Sequence, residues 1–186
     1  MSLRPAGVAL LACLLAACTA VPERTPFVLP SPPAPESSAA VDLLLQRVPS
    51  AFRARCAKPD EGSSGSPDPG QLAEVRCEDP GEGADSVLYR LYQDEATLDA
   101  AYTEVRRFVR RSVGPELTGT RCQDGNYDGT WAREGTQVGR LICVTTGGNT
   151  EFLWSDTRTG LLGLARNSDR NIDALFLFWS AAVTDP

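Results

Sequence analysis

The sequence predicts an α+β domain: an antiparallel sheet with packed helices, built from an internally duplicated αββ(β)α unit and fastened by two disulfides. Three observations predict it. Helical apolar spacing occurs at three places, after Ser38, after Asp94 and after Ser168. Short strand-like runs closed by Gly- and Asn-containing turns lie between them, two before the middle helix and four after it. Four cysteines fall in two pairs of equal spacing, Cys56 to Cys77 and Cys122 to Cys143, each spanning 21 positions.

Ahead of that domain stand two segments of a different kind. Residues 1–17 carry Arg4 and then an apolar run from Ala6 to Ala17 that only Gly7 interrupts. The run falls short of the roughly 20 apolar residues that a spanning helix needs. Its layout is that of an export signal, a charged start, an apolar stretch and small residues at the cleavage point. Leu15-Ala16-Ala17-Cys18 resembles the lipobox of bacterial lipoproteins, which implies cleavage before Cys18 and acylation of that cysteine. Cys13 is a poorer acceptor, because too little apolar sequence precedes it. Several acyl chains at about 0.8 kcal/mol per buried methylene would hold the protein on a membrane without any segment crossing it. Residues 18–40 then contain the lipidated cysteine and a tether with six prolines, Pro22, Pro26, Pro30, Pro32, Pro33 and Pro35. Such a stretch buries too little apolar surface to fold and acts as a semi-extended spacer.

The single extracytoplasmic domain spans residues 41–186, with approximate repeats 41–113 and 114–186. Its first helix places Val41, Leu44, Leu45, Val48 and Phe52 on one face, and Pro49 ends or bends it. A Gly-, Ser- and Pro-rich loop runs from Pro59 to Gly70. Strands are expected over Leu72 to Cys77 and Ser86 to Tyr92. Asp94 caps the clearest helix, whose stripe is Leu98, Ala101, Tyr102, Val105, Phe108 and Val109. Arg106, Arg107, Arg110 and Arg111 lie towards its end, where cations suit the helix dipole. Four strands follow, near Thr130 to Arg133, Val138 to Thr146, Glu151 to Asp156 and Leu161 to Arg166. Ser168 then caps a last helix bearing Ile172, Leu175, Phe176, Trp179 and Val183.

The case for duplication is that two features match in the same order. Arg55-Cys56 parallels Arg121-Cys122, and the Leu98 to Tyr102 segment lines up with Ile172 to Phe176. Four cysteines on the oxidising side of a membrane allow three connectivities. If the units are copies, Cys56–Cys77 and Cys122–Cys143 are the pairs to expect. A redox or metal role has no C-x-x-C and no histidine to build on.

The absence of histidine also removes Ser-His-Asp and Cys-His catalysis, and Lys58, the only lysine, is not preceded by S-x-x. Carboxylate chemistry remains as an alternative, a hydrolase of envelope polysaccharide, but no pair stands out among the 24 acidic residues. Without residues 1–17 the chain keeps 17 basic against 24 acidic residues, a net charge of −7 that argues against nucleic acid. Asp124, Asn126 and Asp128, in D-G-N-Y-D-G, match the first half of a calcium loop. The twelfth position is Gly135 in place of the bidentate acid, and a plain polar turn uses the same residues. Calcium is thus the one cofactor the sequence raises. The arginines of the middle helix offer an anion contact, to wall polymer or lipid headgroups, or else a solvated face. Trp131, Trp154 and Trp179 suit a core better than a ligand groove.

The residues Gly129-Thr130-Trp131, Gly139-Arg140-Leu141-Ile142-Cys143, Trp154-Ser155-Asp156 and Leu177-Phe178-Trp179 together resemble a family of bacterial extracytoplasmic domains. These occur in actinobacterial lipoproteins and as the outer, sensor-like part of some membrane serine/threonine protein kinases. The resemblance runs from about Val41 to Val183 and is strongest after Gly129. It implies a non-enzymatic binding or sensor-like module on the outer face of the cell membrane, with an envelope ligand or protein as partner. It supplies no functional residues, and no kinase catalytic sequence is present. A purely structural envelope lipoprotein is the remaining alternative.

Overall fold

The computed structural model describes residues 38–59, 66–81, 83–113, 117 and 119–184. The leader, Cys18, the tether up to residue 37 and residues 60–65 of the Pro59 to Gly70 loop lie outside the described residues. Helix α1 (Ser38–Arg47) buries Leu44 and delivers Val48 to the core. Pro49, extended at φ −48° and ψ 137°, ends it, and the single turn α2 (Ser50–Arg53) restarts the path so that Phe52 stacks on Phe178 at 4.7 Å. Strand β1 (Cys56–Ala57) follows, then the hairpin β2 (Gln71–Gly81) and β3 (Ala84–Tyr92), then helix α3 (Glu95–Val113). After a 3-10 turn at Cys122–Asp124 the chain forms a meander of β4 (Tyr127–Arg133), β5 (Thr136–Thr145), β6 (Thr150–Asp156) and β7 (Leu161–Asn167), and ends in α4 (Ile172–Thr184).

Among the described residues all strands join one antiparallel sheet, in the order β1-β2-β3-β7-β6-β5-β4. The expected α+β class is therefore the observed one. The hairpin and the meander meet where β3 pairs with β7, from Ser86 opposite Arg166 to Leu91 opposite Leu161. Alternation along the strands divides the apolar side chains into two layers. On one face Val75, Val87, Tyr89, Phe152, Trp154 and Ala165 meet Leu44, Val48 and Phe52 together with Leu175, Phe178 and Trp179 of α4. On the other, Tyr92, Ile142, Val144, Leu153 and Leu162 meet Leu98, Ala101, Tyr102 and Val109 of α3. All three tryptophans are buried core residues, and Trp131 donates its indole N–H to the Ser155 carbonyl at 2.8 Å. A Cβ at Gly163 would overlap the Trp154 indole, so glycine there lets the ring lie flat on the sheet.

Both disulfides join the cysteines that the duplication pairs, Cys56–Cys77 and Cys122–Cys143. The first links directly opposed residues of β1 and β2. The second ties the 3-10 turn to the C-terminal part of β5. Each half runs in the order cysteine pair, strands, helix, yet the helices cover opposite faces. Cys77 lies on the strand next to β3, whereas Cys143 lies two strands from β7.

Two sequence expectations need correction. The last helix begins at Ile172, because Asn171 is its cap: the Asn171 side chain accepts the Ala174 N–H at 3.0 Å. Ser168 sits in the preceding turn with its N–H on Asp85 (2.6 Å), and Arg170 at φ 58° breaks any helical path between them. Phe108, assigned to the buried stripe of α3, is 67% exposed. The inward arc is complete with Leu98, Ala101, Tyr102, Val105 and Val109, and Phe108 falls at its edge.

Candidate functional site

Helix α3 starts where β3 ends, at the centre of the sheet, and crosses the face to its margin. Asp94 fixes the start by accepting the Thr97 N–H at 2.8 Å, and this backbone hydrogen bond holds the Asp94 carboxyl below the usual carboxylate range. The crossing direction is set at the other end by Arg106, whose Nε donates to both carboxylate oxygens of Asp128 at 2.7 and 3.0 Å. Asp128 belongs to β4, the edge strand, and lies in a cross-strand row with Ile142, Leu153, Leu164 and Leu88. It therefore faces α3 from beneath, and its side chain is only 8% exposed. The hydrogen bond to Asp128 pushes the Arg106 pKa further up.

The same carboxylate is 3.8 Å from Arg110. Arg107 pairs with Glu104 at 2.6 Å on the outer surface of the helix. Arg111 is exposed and has no ion-pair partner among the described residues. Together with Thr103, these four arginines line an open groove of about 350 Å³. Four cations thus stand against two carboxylates, Asp128 and Glu104, on a chain whose overall charge is negative. Arg140 of β5 continues the basic strip: its guanidinium donates to Asp99 at 2.7 Å and to Thr103 at 3.4 Å and lies 4.6 Å over the Tyr102 ring. The Tyr102 hydroxyl is buried with no hydrogen-bond partner among the described residues, and burial pushes its pKa up.

The structure brings all four sequence-predicted arginines together, but it does not gather the three calcium-loop side chains. Asp124 accepts from Thr120 (2.9 Å) and Arg121 (3.0 Å), Asn126 accepts the Thr145 N–H (2.8 Å), and Asp128 holds Arg106. Among the described residues no three His, Cys, Asp or Glu side chains cluster as a metal site. Cys18 lies outside the described residues, while Cys56, Cys77, Cys122 and Cys143 are bonded as above. No described helix is long and apolar enough to cross a membrane.

Two other hollows flank α3. One of about 230 Å³ lies between its first turn and β5, with Glu95, Asp99, Gln137, Arg140 and Ser155 in its walls. Its two acids sit one helical turn apart, and Asp99 is tied to Arg140. The other, about 320 Å³, has Pro69, Ala96, Ala100 and Ala101 as an apolar floor, with Asp68 and Glu104 on its rim. Asp68 is held by Tyr92 (2.7 Å) and Arg90 (3.0 Å), and Arg90 in turn by the buried Glu74 (2.6 Å). Sequence reasoning missed Asp128 as the partner of the arginines, and Arg140 and Tyr102 as their neighbours. The only available signal was the strand alternation that puts Asp128 and Thr130 on the α3 side.

Comparison of the chain with protein-family models, with curated proteins and with solved structures finds no match.

Proposed function

We propose that this chain is a lipid-anchored, extracytoplasmic binding module without catalytic activity, and that the arginine groove of α3 receives an anionic component of the cell envelope. The observation that carries the reading is the groove itself. Thr103, Arg106, Arg107, Arg110 and Arg111 line one open concavity, and only Arg106 is closely engaged by a buried partner. Guanidinium groups in such an arrangement present forked donors matched to phosphate or carboxylate oxygens. The lipobox-like Leu15 to Cys18 segment supports attachment through Cys18, and the resemblance to sensor-like outer domains supports binding over catalysis.

Two measurements test the reading. Titration of the chain from Thr19 onward with polyphosphate gives saturable binding that weakens steeply with salt, and Arg110→Gln with Arg111→Gln reduces it by at least tenfold. Equal binding by that variant overturns the groove assignment. Replacing Cys18 by Ser releases the protein from the membrane fraction and removes the acyl mass from its N-terminal peptide; retention on the membrane overturns the anchor.

A further inference from the structure

The ladder between β5 and β6 is interrupted beside the first turn of α3, and a polar hollow lies over the gap. Regular pairing stops at Leu141 opposite Trp154. Beyond it Gly139 leaves room for the Ser155 carbonyl, which a Cβ there would overlap, and that carbonyl accepts the Trp131 indole N–H. The Arg140 N–H turns to the Ser155 hydroxyl oxygen at 3.1 Å. Pairing of β4 with β5 shifts at the same level: Trp131 faces Gly139 but Ala132 faces Gln137, so Val138 is one residue in excess. The extra residue brings Gln137 and Arg140 into the wall of one hollow with Glu95, Asp99 and Ser155. We propose that this hollow, of about 230 Å³, is a second binding site, and that it takes the primary ammonium group of a small polar molecule.

Ser155 supplies the floor. Strand alternation puts it in the row of Leu153 and Leu162 under α3, where it is 3% exposed. Its oxygen accepts from Arg140, while its own proton has no acceptor among the described residues and is available to a polar atom that enters the hollow. Two carboxylates stand one turn apart on the helix side. Asp99 commits Oδ1 to Arg140 and keeps its second oxygen, and the exposed Glu95 carboxylate has no ion-pair partner among the described residues. The Arg140 guanidinium is already engaged by Asp99, Thr103 and the Tyr102 ring face. Two carboxylates against one engaged guanidinium leave the hollow with a single negative charge, which favours a monocation over an anion or a neutral molecule. An ammonium has three donors and no acceptor, matching the carboxylate oxygens, while oxygens on the body of the ligand accept from Ser155 and Gln137. Amino sugars and amino-acid amides both carry that group at this size. The site attracts the charge opposite to that drawn by the arginine groove, so the inference does not depend on that reading.

The experiment uses the chain from Thr19 onward, without acyl chains. The described core and both disulfides lie within residues 38–184, so removal of the leader leaves them intact. Glucosamine, alaninamide, N-acetylglucosamine and glucose are titrated in turn, and NMR follows the Trp131 indole and Arg140 amide N–H signals, both of which end on Ser155. Glucosamine, alaninamide or both shift these signals saturably, with dissociation constants on the order of 1 mM for ligands so small. The amine that binds more tightly tells an amino sugar from an amino-acid source. N-acetylglucosamine and glucose, which lack the ammonium, leave the signals in place. Glu95→Gln weakens amine binding by about fivefold or more, through loss of a charged acceptor, with an unchanged circular dichroism spectrum. Amine binding by Glu95→Gln equal to that of the parent overturns the site. Equal shifts by glucose and glucosamine overturn recognition of the ammonium, and the absence of a shift with both amines overturns the proposal outright. None of these outcomes bears on polyphosphate binding at the arginine groove.

Discussion

Asp128 holds two arginines from beneath, and its substitution separates what it does for the fold from what it does for the groove. Asp128→Asn keeps an oxygen for the Arg106 Nε but removes the charge that draws Arg106 and Arg110 inward. The expected result is a loss of about 1–2 kcal/mol in stability, between an exposed and a buried pair, measured by urea denaturation. Polyphosphate affinity rises by about two- to fivefold, since one opposing carboxylate is gone. A second prediction concerns Tyr89, Tyr92 and Tyr102, whose pKa values are all raised above 10.0, with burial as the largest cause. Above pH 10 the unfolded chain releases these protons while the folded chain retains them, so the unfolded state binds fewer protons and stability falls as pH rises. The slope is up to about 1.4 kcal/mol per pH unit for each tyrosine. Phenolate absorbance of these three rings therefore develops only with unfolding; their titration in the native state at pH 10–11 contradicts the burial. The arginines were legible from sequence as a run, but their counter-charge was not. Asp128 stands in a turn-like D-G-N-Y-D-G stretch, where local chemistry suggests calcium or a polar turn and nothing marks a partner 22 positions upstream on a helix.

At the level of elements, long periodic segments were readable and short or edge features were not. The stripe of α3 and the alternation of β2, β3 and β5 to β7 carry enough repeats to define a buried face. Strand β1 has two residues and no period; it exists because Cys56 is bonded opposite Cys77. Phe108 fits the helical period but lies past the arc that the sheet covers, which only the crossing angle of α3 decides. Ser168 and Asn171 are both good caps, and the positive φ at Arg170 selects the later one. The cysteine spacing was the most informative signal, because both pairs follow from matching the two halves. Each bridge closes a 21-residue separation and is worth about 3 kcal/mol in the chain-entropy estimate. They are unequal in access: Cys56 is half-buried, whereas Cys77, Cys122 and Cys143 are buried. A mild reductant therefore opens Cys56–Cys77 first. Timed alkylation with peptide mapping checks the order, and simultaneous or reversed labelling counts against it.

Across the whole molecule, the halves that look like copies in sequence share one sheet and one pair of cores. The face covered by α1 and α4 draws Val75, Val87 and Tyr89 from the first half and Phe152, Trp154, Leu175 and Trp179 from the second. Tyr89 meets Trp154 edge to face at 5.9 Å across the junction. The face under α3 is mixed in the same way, since the helix belongs to the first half while Ile142, Val144, Leu153 and Leu162 belong to the second. Residues 41–113 alone would leave β3 without its β7 partner and α3 without most of its floor, exposing Val87, Tyr89, Leu98 and Tyr102 at once. Residues 114–186 alone would bare Ile142, Val144 and Leu153. Neither half is then expected to fold in isolation, and the intact chain unfolds as one cooperative unit. The placement of the aromatic residues makes this measurable. Trp131, Trp154 and Trp179 all lie in the second half, so tryptophan fluorescence reports that half, while far-ultraviolet circular dichroism reports both, including the long helix α3 of the first. Under one transition the two signals give the same urea midpoint. A tryptophan transition displaced from the circular dichroism transition, or a folded fragment of either half, would show that the two halves are independent units; coincidence means that pairing β3 with β7 makes the halves inseparable.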